Sequence, residues 1–183
     1  MRADAQRNRD KILAAAVRMF AEEGLDVHLE RIAKEAGVGS ATLYRNFATR
    51  EALIEAAYRN EVAQLCDAVP GLLAARPPYE ALHAWTRLFL DYVTTKYGMA
   101  DALRAIAATG NNPYGQSREM VLAAITALME PCVADGTIRT DISPADVFTA
   151  LEGIALTSAR PEQRERAERL LDLTLDGLKV SPA

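Results

Sequence analysis

Hydrogen-bonding side chains are concentrated on one side of a short segment that follows residue 39. Leu43 and Phe47 lie four positions apart, so in a helix both point inward together with Val38. The opposite side then presents small or hydrogen-bonding side chains, with Tyr44 at its edge: Ser40, Ala41, Thr42, Arg45 and Asn46. Such side chains bond to phosphates and base edges, and a helix that carries them fits the major groove of DNA, about 12 Å wide. We therefore expect residues 40–46 to form a DNA-reading helix.

A second helix and a tight turn must position this segment. The apolar residues before the turn recur at helical spacing: Leu29, Ile32, Ala33 and Ala36. The tripeptide Gly37-Val38-Gly39 follows, and Gly37 can adopt the positive φ that ends a helix. The order of helix, three-residue turn and helix is typical of a helix-turn-helix.

Helical spacing continues along most of the chain, and no segment alternates as a strand would. The first helix should end at Gly24, and the fourth should run from about Thr49 until Pro70-Gly71 interrupts it. A later helix should open with the cap sequence Ser143-Pro144-Ala145-Asp146. We therefore predict an all-α fold of about nine helices, without internal repeats.

The charge distribution supports a division into two functional parts. The formal net charge of the 183 residues is −4, which by itself argues against a nucleic-acid partner. Residues 1–50, however, hold nine Lys and Arg against seven Asp and Glu, whereas the remainder holds twelve against eighteen. We predict a three-helix helix-turn-helix DNA-binding domain over residues 1–48. A helical effector-binding and dimerisation domain should follow over residues 49–183.

Four stretches of the N-terminal third resemble the tetracycline-repressor (TetR) family, with every apolar position in register over about 58 residues. They are Arg9–Ala16, Met19–Gly24, Ile32–Val38 and Thr42–Phe47. Two stretches further on, Asp135–Arg139 and Asp141–Asp146, also resemble C-terminal domains of this family. The resemblance implies a homodimer that binds double-stranded operator DNA and responds to a small-molecule effector of unknown identity. The two recognition helices would lie about 34–36 Å apart, in successive major grooves.

The resemblance also implies roles for individual residues. The family residues matching Thr42 and Tyr44 touch phosphates or base edges, and those matching Ser40, Ala41 and Arg45 commonly face bases. Arg50 stands where the family usually has a lysine that meets a phosphate. Asn46 replaces a frequent histidine, which alters one expected phosphate contact.

Several residues depart from the family pattern and put the operator sequence in doubt. Gly39 stands where a serine usually precedes the recognition helix, so we expect Ser40 to cap the helix instead. His28 stands where threonine usually caps the second helix. Glu30 occupies a position near DNA that is often basic or polar. Its carboxylate would repel phosphate unless it accepts from a cytosine amino group or pairs with Arg31 or Lys34.

The remaining polar residues offer no constellation for catalysis or metal binding. The two histidines, His28 and His83, are isolated, and the two cysteines, Cys66 and Cys132, belong to no paired motif. We therefore predict no catalytic residues, no metal, no cofactor and no enzymatic activity. The polar N-terminus and the lack of a long uncharged stretch predict a soluble cytoplasmic protein without a membrane partner.

Aromatic residues in the middle of the chain allow two interpretations. Trp85, Phe89 and Tyr92 lie on one helical face, which is typical of a core. They could instead line an effector pocket. Leu103 and Met120 would then complete its wall.

The last helix has more apolar surface than a single core requires. Its leucines cover an arc of about 200°, whereas a helix that faces one core needs about 100°. The surplus predicts burial against a second subunit, together with an apolar stripe on the preceding helix. The expected dimer interface comprises Val147, Leu151, Ile154, Leu170, Leu173 and Leu178.

Two functional hypotheses remain open. The first is a transcriptional repressor that a small-molecule effector releases from its operator. The alternative is a dimeric helical sensor that acts through a protein partner without reading DNA, which Glu30 and the modest positive charge of the N-terminal part keep open. The basic residues near the N-terminus could form an arm that reaches phosphates, or they could simply be solvated: Arg2, Arg7, Arg9 and Lys11.

Overall fold

A computed structural model describes residues 2–110, 114–158 and 161–180 of the chain. Within these ranges the secondary structure consists of nine α-helices and one 3-10 turn, Pro161–Gln163. The helices are α1 (Arg2–Glu23), α2 (Leu29–Glu35), α3 (Ser40–Asn46), α4 (Arg50–Ala75), α5 (Pro78–Gly98), α6 (Ala100–Ala108), α7 (Tyr114–Ala134), α8 (Pro144–Ser158) and α9 (Arg164–Asp176). The β pairing of the described part is an isolated bridge between Ile138 and Lys179. The predicted all-α fold is confirmed.

The chain packs as two compact units. One contains Met1–Glu61 and Thr95–Tyr114, and the other contains Val62–Thr94 and Gly115–Ala183. The division by packing differs from the predicted boundary after residue 48. The first half of α4 and the corner formed by the end of α5 and α6 belong with the helix-turn-helix.

The first unit encloses an apolar core to which each of its helices contributes. Its fully buried side chains include Ile12, Ile32, Leu43, Leu53, Met99 and Leu103. The end of α5 approaches the end of α1 closely, since a Cβ added at Gly98 would lie 3.6 Å from the carbonyl oxygen of Phe20. Burial of these side chains fixes α2 and α3 against α1.

The second unit is built around α5 and the C-terminal helices. Its largest buried side chain is Trp85, whose indole N–H donates to the carbonyl of Leu65 at 2.9 Å. Helices α8 and α9 pack against each other. The start of α8 is capped reciprocally: Asp146 N–H donates to Ser143 Oγ at 3.2 Å, and Ser143 N–H donates to Asp146 Oδ2 at 2.9 Å. The predicted cap at Ser143 is confirmed.

Two boundaries differ from the sequence predictions. Helix α4 continues through Pro70 to Ala75 instead of ending there. Proline removes one backbone donor, but the Pro70 ring is exposed, so it displaces no side chain of the core. At the other end of the chain, α1 begins at Arg2, so the backbone that carries Arg7, Arg9 and Lys11 is helical, and a contact of these residues with phosphates stays a prediction.

Candidate DNA-binding surface

A Schellman motif sets the angle between α2 and α3. Gly37 has a φ of 67°, and its N–H donates to the carbonyl of Lys34 at 3.0 Å. The next residue, Val38, donates to the carbonyl of Ala33 at 2.9 Å. These two bonds satisfy carbonyls at the end of α2 and redirect the chain into α3. The predicted positive φ at Gly37 is confirmed.

Helix α3 is anchored by its buried side and begins without a side-chain cap. Leu43 and Phe47 are buried, as predicted, whereas Val38 is half-buried. The N-cap residue is Gly39, whose carbonyl accepts from the N–H of Thr42 at 2.8 Å. Ser40 is already the first residue of the helix, so the expectation that it caps α3 is wrong.

The opposite side of α3 lies at the protein surface. Four of the predicted DNA-contacting residues are exposed and two are half-buried: Ser40, Ala41, Tyr44 and Arg45, then Thr42 and Asn46. A helix that presents these side chains can donate to and accept from base edges without removing any apolar anchor from the core.

Two of the polar side chains on this side bond to their own helix. Arg45 donates from Nε to the carbonyl of Ala41 at 3.1 Å and from Nη2 to Thr42 Oγ1 at 3.1 Å. Asn46 donates from Nδ2 to the carbonyl of Thr42 at 2.8 Å. These bonds hold the two side chains against α3 and leave further donors of the guanidinium and the acceptor oxygen of the amide for a contact with DNA.

Arg50 has a structural partner that the sequence did not reveal. It is the first residue of α4, and its Nη1 donates to the carbonyl of Val27 at 2.8 Å and also to that of Leu25. Arg50 thereby fastens the loop between α1 and α2 to the start of α4. A guanidinium has five N–H donors, so the hydrogens on Nε and Nη2 are outside these two bonds.

Glu30 and Tyr44 form a hydrogen bond between α2 and α3. Tyr44 Oη donates to Glu30 Oε1 at 2.7 Å. The bond lowers the pKa of Glu30 and raises that of Tyr44, because it stabilises the ionised carboxylate and the protonated phenol. The suggested pairing of Glu30 with Arg31 is not formed, since Arg31 is bonded to Glu23 on α1 at 2.5 and 2.9 Å.

A groove of about 460 Å³ also lies in the first unit, between α1, the end of α3 and α4. Arg9 borders it and lies over the Phe47 ring, 4.6 Å from the ring centroid. None of the residues predicted to line an effector pocket borders this groove.

Three of the predicted effector-pocket residues cluster in the second unit. Adjacent ring centroids of Trp85, Phe89 and Tyr92 are 5.9 Å apart, and all three residues are buried. Met120 belongs to the same unit and is half-buried, whereas Leu103 belongs to the core of the first unit. The aromatic residues thus have a core role, and an effector pocket beside them stays a prediction.

The predicted interface residues differ in how much surface they offer a partner. Val147, Leu151, Ile154 and Leu178 are buried within the subunit and offer little surface to a partner, so their place in a dimer interface stays a prediction. Leu170 is half-buried, and Leu173 is 69% exposed. Leu156, which the helical stripe did not include, is 84% exposed.

The titratable side chains give no sign of a catalytic or metal centre in the parts of the chain that the structure describes. No group of three or more His, Cys, Asp or Glu could hold a metal ion there. Burial raises the pKa of both cysteine thiols, Cys66 and Cys132, to about 11, so both are protonated at neutral pH. His83 is paired with Asp172 at 2.8 Å.

Family models match both parts of the chain. The model of bacterial regulatory proteins of the tetR family matches residues 12–57. The model described as the C-terminal domain of SbtR-like transcriptional regulators matches residues 77–180. Together these ranges cover most of the chain.

Solved structures with similar chains support the same assignment. The TetR transcriptional regulator SCO0520 from Streptomyces coelicolor is 71% identical, with a TM-score of 0.89 over 95% of this chain and 99% of its own. A TetR transcription regulatory protein from Mycobacterium vanbaalenii is 32% identical, with a TM-score of 0.79 over 98% and 99%. A curated HTH-type transcriptional regulator from Staphylococcus aureus (strain USA300) is 50% identical over 48 residues, 26% of either chain.

The exposed α3 of a helix-turn-helix, the two family models and the similar solved chains together define a DNA-binding transcriptional regulator. The chain belongs to the TetR family. Among the described helices, none is both long and apolar enough to cross a membrane.

Proposed function

We propose that this regulator is a repressor that binds operator DNA as a homodimer in the cytoplasm and leaves it when a small molecule binds. The exposed side of α3 carries the proposal, since its hydrogen-bonding side chains stand on a helix whose opposite face is buried. The side chains that would contact DNA are Ser40, Ala41, Thr42, Tyr44, Arg45, Asn46 and Arg50.

The exposed leucines of α8 and α9 support dimerisation through these two helices. An isolated exposed leucine is common, but Leu156 and Leu173 expose 84% and 69% of their surface on two helices that pack together. Burial against a second copy would remove this apolar surface from water. A dimer would present two copies of α3 to a near-palindromic operator.

Effector control requires that the small molecule bind the two conformations of the regulator with different affinities. A shift from almost full to almost no operator occupancy needs a difference of roughly 5.5 kcal/mol. We propose that the effector binds in the second unit near Trp85, Phe89, Tyr92 and Met120. This would make α4, which begins at Arg50 and continues into that unit, the element that transmits the change.

DNA binding is tested by titrating labelled duplexes from the gene's own upstream region at several salt concentrations. We expect binding whose logarithmic affinity falls linearly with the logarithm of salt, because each neutralised phosphate releases counterions. Flat affinity for every duplex would contradict DNA binding and favour a sensor that acts through a protein partner.

A further inference from the structure

A carboxylate stands on the surface that we propose to face DNA, although the phosphates of a duplex would repel it. Glu30 lies in the first turn of α2 and is exposed. It accepts a hydrogen bond of 2.7 Å from Tyr44, which is 44% exposed on α3. The pair therefore belongs to the same surface as the side chains of α3 that are expected to contact DNA.

The arginines around this pair are engaged with other groups. Arg31 is bonded to Glu23, and Arg45 is bonded to its own helix. Arg50 donates to the carbonyls of Leu25 and Val27. The hydrogen bond from Tyr44 lowers the pKa of Glu30, so the carboxylate carries its negative charge at neutral pH.

The chemistry of an ionised carboxylate limits what it can bind in a groove. A carboxylate is an acceptor with about four sites, and Tyr44 fills one of them. The amino groups of cytosine and adenine are the donors in the major groove. Adenine places the acceptor N7 beside its amino group, which disfavours a carboxylate, whereas the major-groove edge of cytosine itself carries only the N4 donor.

We propose that Glu30 is a specificity-determining residue that selects a cytosine in each operator half-site by accepting from the N4 amino group. Tyr44 is the positioning residue, because its hydroxyl fixes the carboxylate relative to α3. The inference rests on the proposed DNA-binding function and adds to it one base preference with an assigned side chain.

The test is selection of operators from random duplexes by the full-length wild-type protein and by Glu30→Gln. Single base-pair changes in each half-site are then measured by fluorescence anisotropy. For the wild type we expect one cytosine position at which replacement weakens binding about tenfold or more. Because glutamine bonds bidentately to adenine, Glu30→Gln should move the preference at that position from cytosine to adenine. Preferences at the other positions should remain.

Two further variants separate positioning from general electrostatics. Tyr44→Phe keeps the carboxylate but removes its anchor, so the cytosine preference should shrink without moving to another base. Glu35→Gln is the matched control, because Glu35 is an exposed glutamate of the same helix that pairs with Arg18 on α1 at 3.1 Å. It should leave the base preferences unchanged.

Each contrary outcome has a distinct meaning. If Glu30→Gln tightens binding to all duplexes equally and keeps the cytosine preference, Glu30 merely repels phosphate and the inference is wrong. If the wild type selects a sequence that has no cytosine preference sensitive to Glu30, the inference also fails while DNA binding stands. If the wild type binds no duplex in a salt-dependent way, the proposed function fails and the inference fails with it.

Discussion

The α2–α3 surface and the α8–α9 surface expose different kinds of side chain. On the first, exposed polar residues bond to one another or to the backbone, as Tyr44 does with Glu30 and Arg45 with α3. On the second, Leu156 and Leu173 expose 84% and 69% of their surface to solvent. On the first surface several polar groups already have hydrogen-bond partners in the free protein, whereas the second leaves apolar area in water.

This difference indicates what each surface contributes on binding. When satisfied polar groups bind DNA, they exchange one set of hydrogen bonds for another, so the net gain is only about 0.5–1.5 kcal/mol per bond. The direction of each bond nevertheless discriminates between bases. Burial of a leucine needs no such direction and contributes about 1.5–3 kcal/mol. The α2–α3 surface is therefore suited to specificity, and the α8–α9 surface to stable association.

The largest effect is expected from placing charge on the α8–α9 surface. The double variant Leu156→Lys and Leu173→Lys should raise the dimer dissociation constant 100-fold or more, because four leucines per dimer would be replaced by ammonium groups. Sedimentation or light scattering over a concentration series measures the constant. Operator binding should weaken in parallel, since a monomer contacts only one half-site.

Leu88→Lys provides the control for this experiment. Leu88 is 40% exposed in the same unit but lies on α5, outside the proposed interface. We expect it to leave the dimer intact. If the double variant has the same dimer dissociation constant as the wild type, the α8–α9 surface does not hold the dimer together, and the proposed difference between the two surfaces is wrong.

An intermediate effect is expected from two arginines that differ in what they bind. Arg50→Ala should lower the free energy of unfolding by about 1.5–3 kcal/mol, since it removes charged hydrogen bonds to the carbonyls of Leu25 and Val27. Arg45→Ala should change stability by less than about 0.5 kcal/mol, because Arg45 is exposed. It should instead weaken operator binding by roughly 1–3 kcal/mol if it contacts a base.

Urea denaturation and anisotropy on the same samples distinguish the two arginines, since Arg50→Ala should lower both stability and operator affinity, whereas Arg45→Ala should lower operator affinity alone. The conservative variant Arg50→Lys tests whether a single ammonium can replace the guanidinium at both carbonyls, and it should recover part of the lost stability. If Arg45→Ala and Arg50→Ala lower the free energy of unfolding equally, the hydrogen bonds of Arg45 stabilise the fold. Arg45 would then not be a surface residue whose main role is to bind DNA.

The helix-turn-helix was predictable because its signals are local in the chain. Gly37 ends α2 by a conformation that glycine adopts without strain, and Leu43 and Phe47 anchor α3 by helical spacing alone. The same reasoning located the cap of α8 at Ser143. Each of these features depends on residues within a few positions of one another.

Features that depend on distant residues were not predictable. The bond from Arg50 to Val27 joins residues 23 positions apart, and the bond from Tyr44 to Glu30 joins residues 14 apart. Helical periodicity cannot show which apolar side chains of α8 and α9 are buried inside the subunit. Buried Val147 and Leu151 therefore share a predicted stripe with exposed Leu173. Pro70 lies within α4 because packing of the flanking turns outweighs the local propensity to end a helix.

The smallest effect is expected at the start of α8, the helix that carries Leu156. Ser143→Ala should lower the free energy of unfolding by about 1 kcal/mol, because the serine hydroxyl caps the N–H of Asp146. Thermal or urea denaturation measures the change. Thr140→Ala is a suitable control, since Thr140 is exposed and precedes the helix.

The contribution of the Asp146 carboxylate to this cap should depend on pH. Hydrogen bonds from the Ser143 hydroxyl and backbone N–H lower the pKa of Asp146 below its ordinary value of 3.8. A lowered pKa in the folded state means that the carboxylate stabilises the fold above pH 3.8 and loses this contribution as the pH falls through the folded value. Asp146→Asn should therefore be less stable than the wild type at pH 7, and the difference should narrow below pH 3.8. A difference that stays constant down to the folded pKa would show that the carboxylate does not act through its charge, and α8 would then owe its start to Pro144 and the serine alone.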